Sequence, residues 1–201
     1  MTTVSILGTG NMGPAIASVV EKGGNTAELF SHSDVDKPVT GDIVILAVYY
    51  SSIAEILAQR GEQLAGKIVV DITTPLNVET FDGLVVPADS SATAEIAAAL
   101  PNSRVLKAFN TTFAATLASG TIGDQPTTVL IAGDDADAKN TLADVVTAAG
   151  LRAIDAGSLR RARELESVGF LSITLAAAEK VSWTGGFAVQ PLHQFSVSNP
   201  Q

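Results

Sequence analysis

Short apolar segments alternate with longer amphipathic segments along most of the chain. The longer segments repeat their apolar residues at helical spacing. The short ones have the length and apolar content of strands buried in a parallel sheet, and they span Val4–Leu7, Thr26–Phe30, Asp42–Val48, Lys67–Ile72, Val105–Phe109, Thr127–Ala132 and Leu151–Ile154. The alternation predicts an α/β fold with a Rossmann-type doubly wound, mostly parallel sheet and a C-terminal helix.

The predicted helices carry start and stop signals. They begin near Met12, Ser52, Ala92, Asp135 and Leu159. Ser52 and Glu55 match a capping box, and Asp134 or Asp135 is expected to cap its helix through the side-chain carboxylate. The last helical pattern continues to about Val181.

One connection departs from the alternation. Residues 31–41 join the second and third predicted strands, show no helical period and contain Pro38. Parallel neighbours usually need a longer crossover, commonly a helix, so this connection is expected to leave part of one sheet face uncovered. We therefore predict that a partner subunit of a homodimer, or the C-terminal helix, covers that face.

The first strand runs directly into a G-x-G-x-x-G sequence that opens the first helix. Gly8 allows a tight turn, Gly10 lets the backbone approach a pyrophosphate, and Gly13 permits close helix–strand packing. The helix N-terminus then faces the phosphates. This context predicts a dinucleotide site formed by Gly8, Thr9, Gly10, Asn11, Met12 and Gly13; the alternative is a structural glycine turn.

The end of the second strand bears on the choice between NADP and NAD. NAD sites place a carboxylate there, whereas NADP sites place a cation. Ser31 and Ser33 can donate to phosphate oxygens, His32 can carry a charge part of the time, and Lys37 supplies a fixed charge. These residues favour NADP, and Asp34 is the contrary indication.

Composition narrows the function classes. The 201-residue chain has a formal net charge of −9, no cysteine and two histidines. The acidic balance argues against nucleic acid and membrane surfaces as partners, and the lack of cysteine excludes disulfides, thiolate metal sites and cysteine nucleophiles. No signal-peptide pattern or bilayer-length apolar run is evident, so we expect a cytoplasmic protein. A single NADP-binding domain is expected over residues 1–189, with a tail over residues 190–201.

Further motifs follow in order along the chain. They are Val48-Tyr49, Asp71-Ile72-Thr73-Thr74-Pro75-Leu76, Lys107-Ala108-Phe109-Asn110 and Asp155-Ala156-Gly157-Ser158-Leu159. Together with the glycine loop and Ser31-His32, this series resembles the deazaflavin (coenzyme F-420)-dependent NADP oxidoreductase family over about residues 3–189. It is also similar to the NADPH domain of ferric reductases. The resemblance implies hydride transfer between the nicotinamide of NADP and a small-molecule acceptor, a flavin or deazaflavin, with no catalytic side chain.

Six more residues are expected to contact the cofactor. Val48, Tyr49 and Thr73 lie at the ends of the third and fourth strands, and the resemblance places Asn110, Thr112 and Ala114 beside the nicotinamide. The structural alternative is simple packing for Val48 and Ala114, a place in the core at the strand end for Tyr49, and satisfaction of loop backbone groups for Asn110.

The roles of several other polar and aromatic residues are predicted less specifically. Lys107 is expected to be structural or exposed rather than a proton donor. Trp183 either flanks a substrate ring or anchors the last helix, and the charged residues of 160–166, Glu166 included, are expected on a solvated helix face. His193, in the tail, is not expected to take part in chemistry.

Two other functions remain open at this point. One is an NADP-dependent dehydrogenase of small molecules, although such enzymes usually carry a separate substrate domain and few residues follow Gly150. The other is an NADP-sensing module without turnover.

Overall fold

A seven-stranded sheet is the centre of the computed structural model, which describes residues 1–190. The strands are β1 (Thr3–Leu7), β2 (Thr26–Phe30), β3 (Ile43–Leu46), β4 (Ile68–Asp71), β5 (Arg104–Lys107), β6 (Thr121–Ile122), β7 (Gln125–Pro126), β8 (Thr128–Gly133) and β9 (Arg152–Gly157). The sheet order is β2-β1-β3-β4-β5-β8-β9, and β6 pairs with β7 in a small hairpin. Within the main sheet β5 and β8 pair antiparallel and the other neighbours are parallel, which confirms the predicted fold class.

The helices cover both faces of this sheet. They are α1 (Met12–Lys22), α2 (Ile53–Arg60), α3 (Ala92–Ala99), α4 (Ala114–Ser119), α5 (Ala136–Ala148) and α6 (Ala162–Ala177). Successive strand residues point to opposite faces. Val4 and Ile6 of β1 therefore join the core beside α1 and α5, whereas Leu7 joins the core beside α2 and α3. This two-sided burial explains the continuous apolar runs of the central strands.

The predicted homodimer began from an error about the connection between β2 and β3. The two strands are not neighbours, because β1 lies between them. The connection crosses flat over β1: the amide of Gly41 donates to Ser5 Oγ at 3.0 Å, and Val39 is buried in the adjoining core. The chain itself covers this face, so the homodimer stays a prediction without its first reason.

The structure also corrects several helix ends. The Ser52 side chain does not cap α2, because Ser52 lies within a preceding 3₁₀ turn, Tyr50–Ser52. Asp135 caps α5 by accepting from the amide of Ala138 at 2.7 Å, as one of the two predicted options. The last helix is shorter than predicted, since α6 ends at Ala177. Helix α4 and the β6–β7 hairpin have no counterpart in the predicted pattern.

The last part of the chain is described only in part. The predicted tail, apart from Gln190, lies outside the described residues, and so does His193. Within residues 1–190, every helix is too short or too polar to cross a membrane.

The flat crossing at Gly41 generates a prediction about stability. A Cβ on Gly41 would lie 2.6 Å from the backbone nitrogen of Ser5 and 2.9 Å from the carbonyl oxygen of Ile43. We expect G41A to lower the free energy of unfolding by about 1–3 kcal/mol, the usual cost of overpacking, as measured by urea denaturation.

Gly61 provides the matched control for this measurement. Its Cβ would meet the Leu100 side chain only at 3.8 Å, and its backbone is helical. G61A should therefore leave the stability unchanged or raise it slightly. Equal stability of G41A and G61A would contradict the close crossing.

Candidate dinucleotide site

The predicted cofactor residues follow strands that all end at one edge of the sheet. Strands β1 to β5 are parallel, so the loops after their carboxyl ends share that edge. These loops carry Gly8–Gly13, Ser31–Lys37, Val48-Tyr49, Thr73 and Asn110–Ala114. The topology thus brings the sequence-predicted residues to a single crevice, the usual ligand position in open α/β sheets.

The three glycines of the loop after β1 differ in how much space surrounds them. A Cβ on Gly8 would lie 2.1 Å from the carbonyl oxygen of Ala47, and one on Gly13 would lie 2.0 Å from that of Gly8. A Cβ on Gly10 would meet nothing within 4 Å among the described residues. Gly8 and Gly13 are therefore required by packing, whereas Gly10 faces open space where a ligand can approach the backbone.

The N-terminus of α1 is suited to an anion. Within residues 1–190, Asn11 makes no side-chain cap bond and the first turn of α1 contains no acidic residue. The first amide groups of a helix lack intrahelical partners and carry the positive end of the helix dipole. A pyrophosphate against Gly10 would meet these amides.

The end of β2 is already engaged by an internal carboxylate. Asp34 Oδ2 accepts from the Ser31 hydroxyl at 2.6 Å and from the Ser31 amide at 2.7 Å. These hydrogen bonds hold the pKa of Asp34 below its usual value, and the bond from the hydroxyl has the larger effect. The Ser33 hydroxyl lies 2.8 Å from that of Ser31. The hydroxyl predicted to meet a 2′-phosphate is thus bound to Asp34.

Two cations stand beside the same strand end. Lys37 Nζ lies 4.1 Å from the centre of the Phe30 ring and donates to the carbonyl of Leu29. Arg60, which the sequence analysis did not select, is buried and donates to the carbonyls of Lys37 and Asp34. His32 is exposed. The charge at this end is therefore mixed rather than uniformly positive.

The end of β3 presents two tyrosines with different environments. Tyr49 is 82% exposed, so its ring is free to contact a ligand at the rim, whereas Val48 is half-buried. The Tyr50 hydroxyl donates to Glu95 at 2.5 Å, which raises the pKa of Tyr50 to about 12. Tyr50 therefore stays protonated and fixed to α3.

The end of β5 has an unusual backbone. Phe109 is buried with a φ of 64°, in the left-handed region, and such strain is commonly held at functional sites. Its carbonyl accepts from the Thr112 hydroxyl at 2.8 Å. Asn110 Nδ2 donates to the carbonyl of Leu165 in α6, also at 2.8 Å. Ala114 begins α4 and is partly buried.

Two buried oxygens in this region lack a partner among the described residues. They are Thr73 Oγ1 and Asn110 Oδ1. Buried polar atoms in native proteins are nearly always hydrogen-bonded to protein, water or ligand. Both belong to residues predicted from the sequence to line the cofactor, and their free hydrogen-bonding capacity fits a polar ligand.

A fully buried charged cluster lies behind these residues. Lys107 Nζ contacts Asp71 Oδ2 at 2.8 Å and Glu166 Oε1 at 3.0 Å, and all three side chains are 0% exposed. Of the two expectations for Lys107, the exposed one is wrong, because the side chain is fully buried. The prediction for Glu166 is also wrong: it leaves the solvated face of Arg160, Arg161, Arg163 and Glu164 and turns into the core. Its signal was its position directly after Leu165 in the apolar stripe.

Trp183 lies beside the same crevice. Its ring centre is 4.9 Å from that of Phe113, at an interplanar angle of 59°, and Phe113 is the residue between Thr112 and Ala114. Trp183 is 52% exposed, so half of its surface can still meet a ligand. Within residues 1–190, no group of three or more acidic or histidine side chains is arranged to hold a metal ion.

The sheet is doubly wound, and a crevice runs along the carboxyl ends of its strands. Beside this crevice lie the glycine loop and the uncapped N-terminus of α1. These features define a dinucleotide-binding protein of the Rossmann type. The chain is 32% identical, over 173 residues, to the F420-dependent NADP reductase of Methanocaldococcus jannaschii, covering 83% of this chain and 76% of that protein. It therefore belongs to the F420-dependent NADP reductase family and is an oxidoreductase. The motif-based resemblance is confirmed.

The chain is also similar to a metalloreductase in sequence and to a solved structure in fold. The chain is 35% identical over 140 residues to the metalloreductase STEAP3 of Rattus norvegicus, but spans only 26% of that protein. The structure of a candidate F420-dependent NADP reductase from Arthrobacter sp. FB24 shares the fold, with a TM-score of 0.83 over 95% of this chain and 100% of that one, at 24% identity. No protein-family model matches the chain.

The buried position of Glu166 generates a prediction about pH. Burial raises the pKa of its carboxyl above 4.5, although Lys107 and the amide of Ala92 oppose the shift. The folded state then holds this proton more tightly than the unfolded chain, so its stabilisation is present below about pH 4.5 and is lost as the pH rises through the folded pKa. E166Q does not titrate at this position.

We therefore expect the stability of the native protein relative to E166Q to fall between about pH 4 and about pH 7. Urea denaturation at both values measures it. Glu164 is exposed on the same helix, and E164Q is the matched control. A difference between native protein and E166Q that does not change with pH would contradict the assignment.

Proposed function

We propose that this protein transfers a hydride between NADP(H) and a small-molecule redox acceptor whose reactive ring is a deazaflavin or a flavin. The observation that carries the proposal is the open cradle at Gly10, between two glycines that packing requires. The name of the M. jannaschii relative, an F420-dependent NADP reductase, supports both the nucleotide and the deazaflavin. Residues 1–189 would form the NADP-binding domain, in a cytoplasmic protein.

The chain offers groups for each part of NADP. Backbone amides around Gly10 and the start of α1 would hold the pyrophosphate. Lys37 and His32 would meet the 2′-phosphate, together with Ser31 after its release from Asp34 and with Ser33, which lies against Ser31. Arg60 would stay on the carbonyls of Lys37 and Asp34 and hold this connection in place. Thr73, Asn110 and Thr112 would face the nicotinamide end, where two of them have unpartnered oxygens.

A bound nicotinamide supplies the hydride itself. The protein would contribute position and exclusion of water, which together account for much of the rate in such transfers. Phe113 and Trp183 lie against each other beside Ala114, and they would form one wall for the acceptor ring. This arrangement needs no nucleophile or general base.

A turnover assay tests the proposal directly. The native protein is mixed with NADPH and, in separate assays, with coenzyme F420, FMN or a ferric chelate. A further set of assays combines the protein with NADP and a panel of hydroxy acids. We expect oxidation of NADPH with F420 or FMN. Turnover only of hydroxy acids would instead indicate the small-molecule dehydrogenase, and tight NADPH binding without turnover would indicate the sensing module.

G10A sharpens this test, because the added methyl group enters the open space of the cradle without touching the described residues. We expect G10A to fold like the native protein and to bind NADPH at least about tenfold more weakly, the equivalent of one charge-assisted hydrogen bond. Calorimetric titration measures the affinity. Native affinity in G10A would contradict binding at this loop.

Asp34 should limit the preference for NADPH over NADH. A carboxylate a few ångströms from a 2′-phosphate costs about 1 kcal/mol in a water-like dielectric. D34N is therefore expected to bind NADPH about fivefold more tightly and to leave NADH affinity nearly unchanged.

D36N is the matched control, because Asp36 is exposed in the same connection. Comparable dissociation constants of the native protein for NADPH and NADH would argue against the NADP assignment. An equal gain for both nucleotides in D34N would show that Asp34 acts on the fold of the loop and not on the phosphate.

A further inference from the structure

The buried cluster of Lys107, Asp71 and Glu166 is the one large charged feature that the proposed reaction does not use. Replacing such a cluster with apolar residues is often neutral or stabilising, so a contribution to stability does not explain it. Its hydrogen bonds reach Thr73 directly and reach Asn110 through the backbone of α6, and these two residues carry the unpartnered buried oxygens.

Every polar group at the centre of the cluster has a partner. The three donors of the Lys107 ammonium are used by Asp71, Glu166 and the carbonyl of Thr73. Glu166 Oε2 accepts from the amide of Ala92 at 3.1 Å. A network that is satisfied in this way holds one arrangement of its parts.

The cluster holds the backbone of Thr73 from both sides. The amide of Thr73 donates to Asp71 Oδ1 at 2.8 Å, and its carbonyl accepts from Lys107 Nζ at 2.5 Å. With both backbone groups fixed, the direction of the Cα–Cβ bond of Thr73 is set, and its hydroxyl is left without a partner among the described residues.

The cluster also fixes α6, which in turn holds Asn110. Glu166 is the residue after Leu165, whose carbonyl accepts from Asn110 Nδ2. One turn further along α6, a Cβ on Gly169 would lie 2.9 Å from the same Nδ2 atom. The Asn110 amide is thus confined between two turns of α6, and its Oδ1 is the other unpartnered oxygen.

We propose that Lys107, Asp71 and Glu166 are positioning residues that hold Thr73 and Asn110 for the carboxamide of the nicotinamide. The Thr73 hydroxyl would donate to the carboxamide oxygen, and Asn110 Oδ1 would accept from its NH₂ group, which matches the capacity of each atom. This inference rests on the proposed function, because it takes the ligand to be NADP.

The experiment separates the nicotinamide end from the rest of the nucleotide. Dissociation constants are measured for NADP⁺ and for 2′-phospho-ADP-ribose, which lacks only the nicotinamide. In E166L, Lys107 keeps Asp71 as a neutralising partner, but the link to α6 and to the start of α3 is lost. We expect E166L to weaken NADP⁺ binding about tenfold, as for a hydrogen bond, and 2′-phospho-ADP-ribose binding less than about twofold.

Two further variants make the result specific. E166Q keeps an oxygen for Lys107 and should restore most of the NADP⁺ affinity, while E164L on the exposed side of α6 should not change either constant. T93V removes the hydroxyl that donates to Asp71 at 2.7 Å and should produce a smaller effect in the same ratio, so it serves if E166L does not fold.

A loss that is equal for both ligands, or no loss in a folded variant, would overturn the positioning role. Equal affinities of the native protein for NADP⁺ and 2′-phospho-ADP-ribose would also overturn it, while leaving the dinucleotide site intact. If the native protein binds neither ligand, the proposed function itself fails.

Discussion

The close approach of β1 to β3 is the constraint on which the site depends. The carbonyl of Ala47 occupies the place where any side chain at residue 8 would begin, so the chain must leave β1 as bare backbone. Gly13 then brings α1 against that same turn. The helix N-terminus and the ends of β3, β4 and β5 are fixed around one crevice as a result, and every later feature of the site is built on this edge.

Features that depend on neighbouring residues were predictable from the sequence. Local apolar runs predict the strands of the main sheet, and the predicted ends differ from those in the structure by at most three residues. One short segment predicts the glycine loop. Side-chain pairs between distant segments were not predictable. Glu166 contacts Lys107 across 59 residues, and Arg60 contacts the connection after β2 across 26. The local pattern around Glu166 can indicate that the position is buried, but it does not identify the distant residue that Glu166 contacts.

The electrostatics of the crevice divide it into two ends. At the end beside β2, which the proposed function assigns to the adenosine, two cations lie close to a carboxylate, and Ser31 already donates to Asp34. At the other end, which the proposed function assigns to the nicotinamide, the charges are buried and compensated, and Thr73 and Asn110 are neutral. In that proposal, a ring that changes its charge during hydride transfer would lie among fixed dipoles in front of a compensated ionic cluster, and the exposed charges would lie at the opposite end.

The flat crossing between β2 and β3 has a thermodynamic consequence. If a helix connected β2 and β3, one segment would form the loop beside the nucleotide and another would cover the sheet, and each could become ordered without the other. Here residues 31–41 combine the two: one end carries Ser31 and Asp34, which the proposed function places beside the nucleotide, and the other end covers the core with Val39 and Gly41. In that proposal, binding at the adenosine end is linked to the packing of the core, and a bound nucleotide would stabilise the whole domain rather than one peripheral loop.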